Sequence, residues 1–430
     1  MKHLNQNKGY ALAFSLIFLF MIVSLVSAYI LVTAHGLTTA SRAANLKRAY
    51  YIADAGITDA FIQLRGYASP PASFSVTNAS YDPGSGKTGS YSVTAISNGA
   101  SFATYTLTST GTYNGVSKVL ILKVQQSSIS TYAYLTNTEV SPTYGNLWWT
   151  TGTTAQGPTR TNGTFNISGN PIFNGMATQS GAAIHYASSG TNNPSFNGGL
   201  TLSAPTVPLP TTTLLTNIST GASSASGLLL TGATTIVFNS DGTMAVTNTA
   251  KGWTSKSTAI PANGMVYVQN TGSSSDGNVT VKGTVKGQVT VAAANQVYIN
   301  GGLMYNTNPN TNPASTDLLG LVSKNKITIL TASTPANVEM DAVFVALNGA
   351  LQVDNPSVTG KVNMIQFGSV VQAYAGPTGS FNPSTGLLTG GWNLLQAYDT
   401  RLQTMIPPGF LAAADSTGRT IYTKISFKEQ

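Results

Sequence analysis

The chain has 430 residues, a formal charge of +8, no cysteine and only 8% charged residues, about a third of the usual charged fraction. Disulfides and thiolate metal sites are excluded. Six basic against two acidic residues within 1–65 supply half of the excess charge, and no basic stripe interleaved with aromatics supports nucleic-acid binding.

Tyr10–Val32 is an apolar run of 23 residues without a charge, long enough to cross a bilayer as a helix. It is too long for an ordinary secretory signal, and no A-x-A-type site follows it. Lys2 and Lys8 precede it, so the positive-inside rule puts the N-terminus in the cytoplasm. From Ala40 to Arg65 apolar residues recur at Leu46, Ala49, Tyr50, Ala53, Ile57, Ala60, Phe61 and Leu64. These steps predict an amphipathic helix with one buried stripe. Residues 10–65 read as one helix about 84 Å long, with Gly36 and Gly56 as weak points.

A short basic leader, Asn7-Lys8-Gly9, then Tyr10 and a long apolar helix resemble the signal of type IV pilins and pseudopilins. The resemblance implies cleavage by prepilin peptidase between Gly9 and Tyr10, N-methylation of Tyr10, and helix packing among pilin-like subunits handled by an inner-membrane assembly machinery. Major pilins carry glutamate at the fifth mature position; Phe14 stands there, and several minor, priming or tip-associated members also lack the glutamate. The run NLKRAYYIADAGITDA resembles the PilX-type N-terminal region, with Asn45, Arg48, Ala49, Ala53, Asp54, Ala55 and Gly56 at the matching positions. Asp54 is read as a subunit contact or as a solvated helix-face charge.

Residues 66–83 are rich in Pro, Ser and Ala and read as a linker. Gly89–Ser97, Phe102–Tyr113 and Val116–Gln125 follow as strands joined at Asn98-Gly99 and Asn114-Gly115, the strongest short hairpin signals. Three antiparallel strands would bury Ile96, Leu107, Val119, Ile121 and Val124 against the helix stripe.

Beyond residue 128, short runs such as Asn278–Val281, Gln288–Val291 and Gln296–Ile299 recur between Gly and Asn. The fold class expected is α+β. It comprises a leader (1–9), a long helix (10–65), a small antiparallel unit (66–128) and a mainly-β domain (129–430). That domain reads as a right-handed parallel β-helix, with a β-sandwich as the alternative. Passages including GPTRTNGTFNISGNPIFNG and YDTRLQTMIPPGF resemble the uncharacterised bacterial family DUF4900 over most of 129–411; the resemblance implies no activity.

Asp241, Asp276, Asp317, Asp341, Asp354 and Asp399 are scattered singly, and His3, His35 and His185 lie far apart. No phosphate loop, dinucleotide fingerprint or nucleophile elbow occurs. Neither a cofactor nor an enzyme is expected. Trp148, Trp149, Trp253 and Trp392 are candidates for stacking on a glycan or surface ligand, or for burial under loops. The leading expectation is a structural, accessory pilin-like subunit displaying its β domain outside the cell. A membrane-anchored adhesin is the alternative, and a polysaccharide-active enzyme the lesser one.

Overall fold

A computed structural model describes residues 7–67, 71–82, 84, 86–98, 104–126, 128–273, 276–410 and 421–430, with side chains from Tyr10 onward. Helix α1 (Asn7–Gly66) is continuous over 60 residues. Its two halves differ in surroundings. Every residue from Tyr10 to Ala44 is exposed, and α1 is long and apolar enough to cross a membrane. From Asn45 a buried stripe runs through Ala49, Ile52, Ala53, Gly56, Ile57, Ala60 and Leu64.

The stripe lies on a five-stranded sheet in the order β1 (Ser73–Tyr81), β2 (Gly89–Ser97), β3 (Thr104–Tyr113), β4 (Val116–Gln126) and the C-terminal strand Tyr422–Glu429. β1 to β4 pair antiparallel. The β3–β4 turn has Asn114 at φ 47° and Gly115 at φ 78°, both left-handed as a tight hairpin of this kind requires. Small residues let the layers approach closely. A Cβ on Gly56 would lie 2.7 Å from Ser109 Oγ, and one on Gly111 would overlap the Ala49 carbonyl oxygen and the Ala53 nitrogen. Gly56 is therefore less a weak point than the residue that permits this packing. Ser109 Oγ donates to the Ala53 carbonyl at 2.7 Å.

Three expectations fail here. Ser73–Tyr81 is a strand, not linker: its alternating SFSVTNASY pairs with β2. Ile96, Val119 and Ile121 point away from the helix, and Ile96 is 52% exposed, while Tyr91, Val93, Ala95, Leu120 and Leu122 join Leu107 and Val124 in the core. A parity error of one residue moves a whole strand's apolar set to the other face, and the unbroken run Val119–Leu122 conceals which parity is right. Finally, Tyr422–Glu429 leaves the stretch assigned to the 129–430 domain. It extends the sheet beside β4, with Tyr422 packed edge-on against Phe61 and Tyr105.

Tyr91 Oη donates to Asp59 Oδ2 at 2.8 Å, tying β2 to α1. Tyr91→Phe should cost about 1 kcal/mol, read as a lower urea midpoint with an unchanged m-value.

The chain divides into two units by internal contacts. The first holds α1, β1–β4 and the C-terminal strand; the second runs from Gln126 to Ile421. A long N-terminal helix followed by a mostly-β chain makes the class α+β. In the second unit parallel ladders dominate. Gln288–Ala293 pairs with Leu318–Ser323, which pairs with Val343–Ala346, and Asn337–Ala346 matches Asn363–Gln372 over ten consecutive pairs. The order along the ladders is not the order along the chain. Asn363–Gly368 pairs with Asn393–Tyr398, and Val370–Gln372 pairs with the early strand Tyr134–Thr136. From there pairing runs outward through Thr159–Thr161 and Ala177–Gln179 to Leu200–Thr201. The first strands of this unit thus stack on its last.

At the opposite end Thr234–Phe238, Thr243–Asn248 and Trp253–Ala259 form an antiparallel meander, which occupies an otherwise open edge. Helix α2 (Thr212–Ala222), capped by Thr211, buries Leu214, Leu215 and Ile218. Inward Val, Ile and Leu make one continuous core. Side-chain amides stack from rung to rung through Asn278, Asn295 and Asn325 at 2.7 and 2.8 Å. Asn162 Nδ2 donates to Asn137 Oδ1 at 3.4 Å and to the Val207 carbonyl at 2.7 Å, and its Oδ1 accepts from the Val207 amide.

Candidate functional site

Parallel stacking of the early strands on the late ones builds a cavity of about 410 Å³ in the second unit. One wall descends from Tyr134–Thr136 through Glu139 and a short hairpin (Val140–Ser141 with Gly145–Asn146) to Trp148 and Trp149. The facing wall comes from the loops around Pro356 and Pro377, with Phe381, Leu388 and Trp392.

Asn166 fixes the hairpin. Its Nδ2 donates to the carbonyls of Glu139 and Leu147, each at 3.1 Å, and its Oδ1 lies 2.7 Å from His185 Nδ1. His185 in turn packs against Trp148, with ring centroids 5.1 Å apart. Trp149 is held from behind by Phe165 and Phe173 and edge-on by Tyr134.

Glu139 is the charged type at this site, and it is buried. Tyr134 Oη donates to its carboxyl oxygens at 3.1 and 3.3 Å, and Thr161 and Trp149 also hydrogen-bond to it. Burial pushes its pKa up to about 8, against the opposing pull of those donors. The carboxyl is therefore mostly protonated at neutral pH. Tyr134 is pushed well above its ordinary value by burial and by Glu139. Sequence reasoning missed Glu139. Its one legible signal was rarity, one of three glutamates in the chain.

The four candidate tryptophans part company. Trp148, Trp149 and Trp392 line the cavity. Trp148 is half-buried, and Trp392 is 1% exposed with its Nε1 donating to the Pro335 carbonyl at 3.3 Å. Trp253 sits elsewhere, in the meander, under Lys256 Nζ at 4.2 Å.

On α1, Gly9 contributes backbone only to the described helix, while Tyr10 and Phe14 are exposed. Asn45 and Gly56 are buried, Asp54 is exposed, and the Arg48 guanidinium lies over the Tyr113 ring at 5.3 Å.

A second titratable cluster joins residues distant in sequence. Asp399 and Arg401 form a bidentate ion pair with contacts of 2.7 and 3.0 Å. Arg401 also donates to the Ser315 carbonyl at 2.8 Å and covers Tyr305. Asp341 accepts from the Tyr305 amide at 2.8 Å, and burial pushes it to about 7. Asp341 and Asp399 are 4% and 1% exposed, so these carboxyls converge in the interior rather than in a groove able to hold a polysaccharide. The other aspartates secure turns: Asp241 accepts from Thr243, Asp276 and Asp354 from backbone amides, and Asp317 from Gly287 and Thr307. Among the described residues no group of three or more His, Cys, Asp or Glu is placed to hold a metal.

The family model described as a domain of unknown function, DUF4900, matches residues 90–182. The match begins within β2 and ends among the first parallel strands, ahead of and shorter than the 129–411 stretch read from the sequence. No curated protein matches the chain. Among solved structures, the chain is similar to the competence-associated pilin ComZ from Thermus thermophilus, at 12% identity, covering 90% of this chain and 98% of that one, with a TM-score of 0.33. So low a score does not define a common fold.

Proposed function

We propose that this is an accessory pilin-like subunit. In this reading α1 is inserted in the membrane, then packed among other pilin helices, and the β-rich unit is displayed outside the cell. The observation that carries it is the division of α1: Tyr10–Ala44 wholly exposed, with Tyr10–Val32 apolar throughout, and Asn45–Leu64 carrying the stripe packed on a sheet. Exposed apolar surface on this scale requires lipid or partner helices. Phe14 in place of a carboxylate leaves no charge to bury, which suits a subunit other than the main repeating one. Cytoplasmic Lys2 and Lys8, cleavage by prepilin peptidase after Gly9 and methylation at Tyr10 belong to this proposal. So does a parallel β-helix as the winding of the second unit, supported by the parallel ladders and the Asn278–Asn295–Asn325 stack. The test is N-terminal sequencing together with shearing of cells that have active prepilin peptidase. The mature chain should start at Tyr10 and appear with the sheared filaments. A chain that keeps Met1 and stays wholly in the membrane fraction sinks the reading.

A second reading, that the β-rich unit also binds a ligand, is favoured by the convergence of Trp148, Trp149 and Trp392 on one cavity.

A further inference from the structure

We infer that the Glu139 cavity binds an organic cation, with a compact alkylammonium head seated among Trp148, Tyr144 and Phe381 and directed at the Glu139 carboxyl. This rests on reading the cavity as a ligand site. Three observations select the ligand's charge. The lining is aromatic on both walls, and aromatic faces attract cations through their quadrupole. Glu139 is a carboxyl with no ionic partner there: no lysine, arginine or histidine is among the lining residues. Lys361 is committed elsewhere, donating to the Thr334 carbonyl and lying 5.0 Å over the Trp392 ring. Tyr134, Thr161 and Trp149 occupy three directions around the carboxyl. A carboxylate offers about four acceptor sites, which leaves one for an incoming donor or positive charge.

An anion would meet the carboxyl and the negative faces of the rings. A neutral sugar would stack on Trp148 but bring no positive charge to the carboxyl. An ammonium group does both jobs. It also reverses the cost of ionising Glu139, since an adjacent opposite charge favours the charged form. Tyr134 is held neutral well above its ordinary value, and His185 lies behind Trp148, bonded to Asn166 and outside the cavity lining. Binding should therefore release a proton below about pH 8 and tighten as pH rises.

The experiment is calorimetry on the full chain in a polyoxyethylene detergent at pH 6.5 and 8.5. The probes are choline, Nα-acetyl-lysine methylamide and methyl glucoside. Choline or the lysine probe should bind, about 25-fold tighter at pH 8.5. Glu139→Gln, which keeps the shape of the neutral carboxyl, should abolish that pH dependence. Trp148→Ala, at a half-exposed ring, should weaken binding at both pH values. Tighter choline points to a lipid headgroup as the source, and a tighter lysine probe to a protein side chain. If only the glucoside binds, or if Glu139→Gln binds the cations with an unchanged pH profile, the inference is overturned while a ligand site stands. If none of the three binds, the ligand reading falls with it.

Discussion

Gly111→Val should strip the sheet of the first unit from α1, at a cost of at least about 3 kcal/mol. Ordinary overpacking is relieved when side chains change rotamer. At Gly111 the added Cβ meets the Ala49 carbonyl oxygen and the Ala53 nitrogen and Cα, and a continuous helix cannot move these without losing its own hydrogen bonds. The helix must lift as a body, exposing the stripe from Ala49 to Leu64 and the facing Leu107, Leu120 and Leu122. Gly56→Ala is milder, about 1–2 kcal/mol, because its first obstacle is Ser109 Oγ, a side-chain atom. Hydrogen exchange separates the two causes of a lowered midpoint. In Gly111→Val the amides of β2 to β4 should lose protection while those of Leu318–Ser323 keep theirs. Wild-type protection in β2 to β4 would refute the packing.

The reach of sequence reasoning differs between the two units for physical reasons. In the first unit the signals are local. Helix periodicity, the Asn114-Gly115 turn and the alternation in Gly89–Ser97 depend on near neighbours, and each element is found where it was expected. What failed there was parity, at Val119–Leu122, where both faces of β4 are apolar, together with the strand Ser73–Tyr81 hidden in a Pro- and Ser-rich stretch and the distant strand Tyr422–Glu429. The second unit is built by pairings between residues distant along the chain. Apolar runs such as Gln288–Val291 and Gln296–Ile299 were visible as strands, though the strands run longer, to Ala293 and Tyr305. Strands of two or three residues, such as Trp149–Thr150 and Thr154–Gln156, carry too little pattern to be seen. Nothing local says that Val370–Gln372 pairs with Tyr134–Thr136.

The cavity follows from that same pairing, which is why only its tryptophans were legible, as residue types rather than as a place. Glu139 had only its rarity to mark it. Its meaning comes from Tyr134, Trp149 and Thr161 around it, and from loops more than 200 residues later that close the other wall.

Glu139→Gln should make the β-rich unit less stable than wild type near pH 5 and more stable near pH 8.5. Glu139 titrates at about 8 in the folded protein, against 4.5 for the unperturbed group. Below 4.5 both states hold the proton and no penalty exists. Between 4.5 and 8 the folded state keeps a proton that the unfolded chain has lost, so stability falls as pH rises, by about 1.4 kcal/mol per unit. By pH 8 the accumulated loss is of order 5 kcal/mol. Asp341 acts in the same direction between 3.8 and about 7, so the wild-type curve falls for two reasons and the variant removes one. Glutamine carries no proton to lose, but its amide NH₂ faces hydrogen-bond donors, at a cost of about 1–2 kcal/mol at every pH. The curves must therefore cross between the two extremes. Denaturant midpoints across this range would reveal it. Parallel curves would mean that Glu139 is ionised in the folded protein at neutral pH, and that its neighbours outweigh its burial.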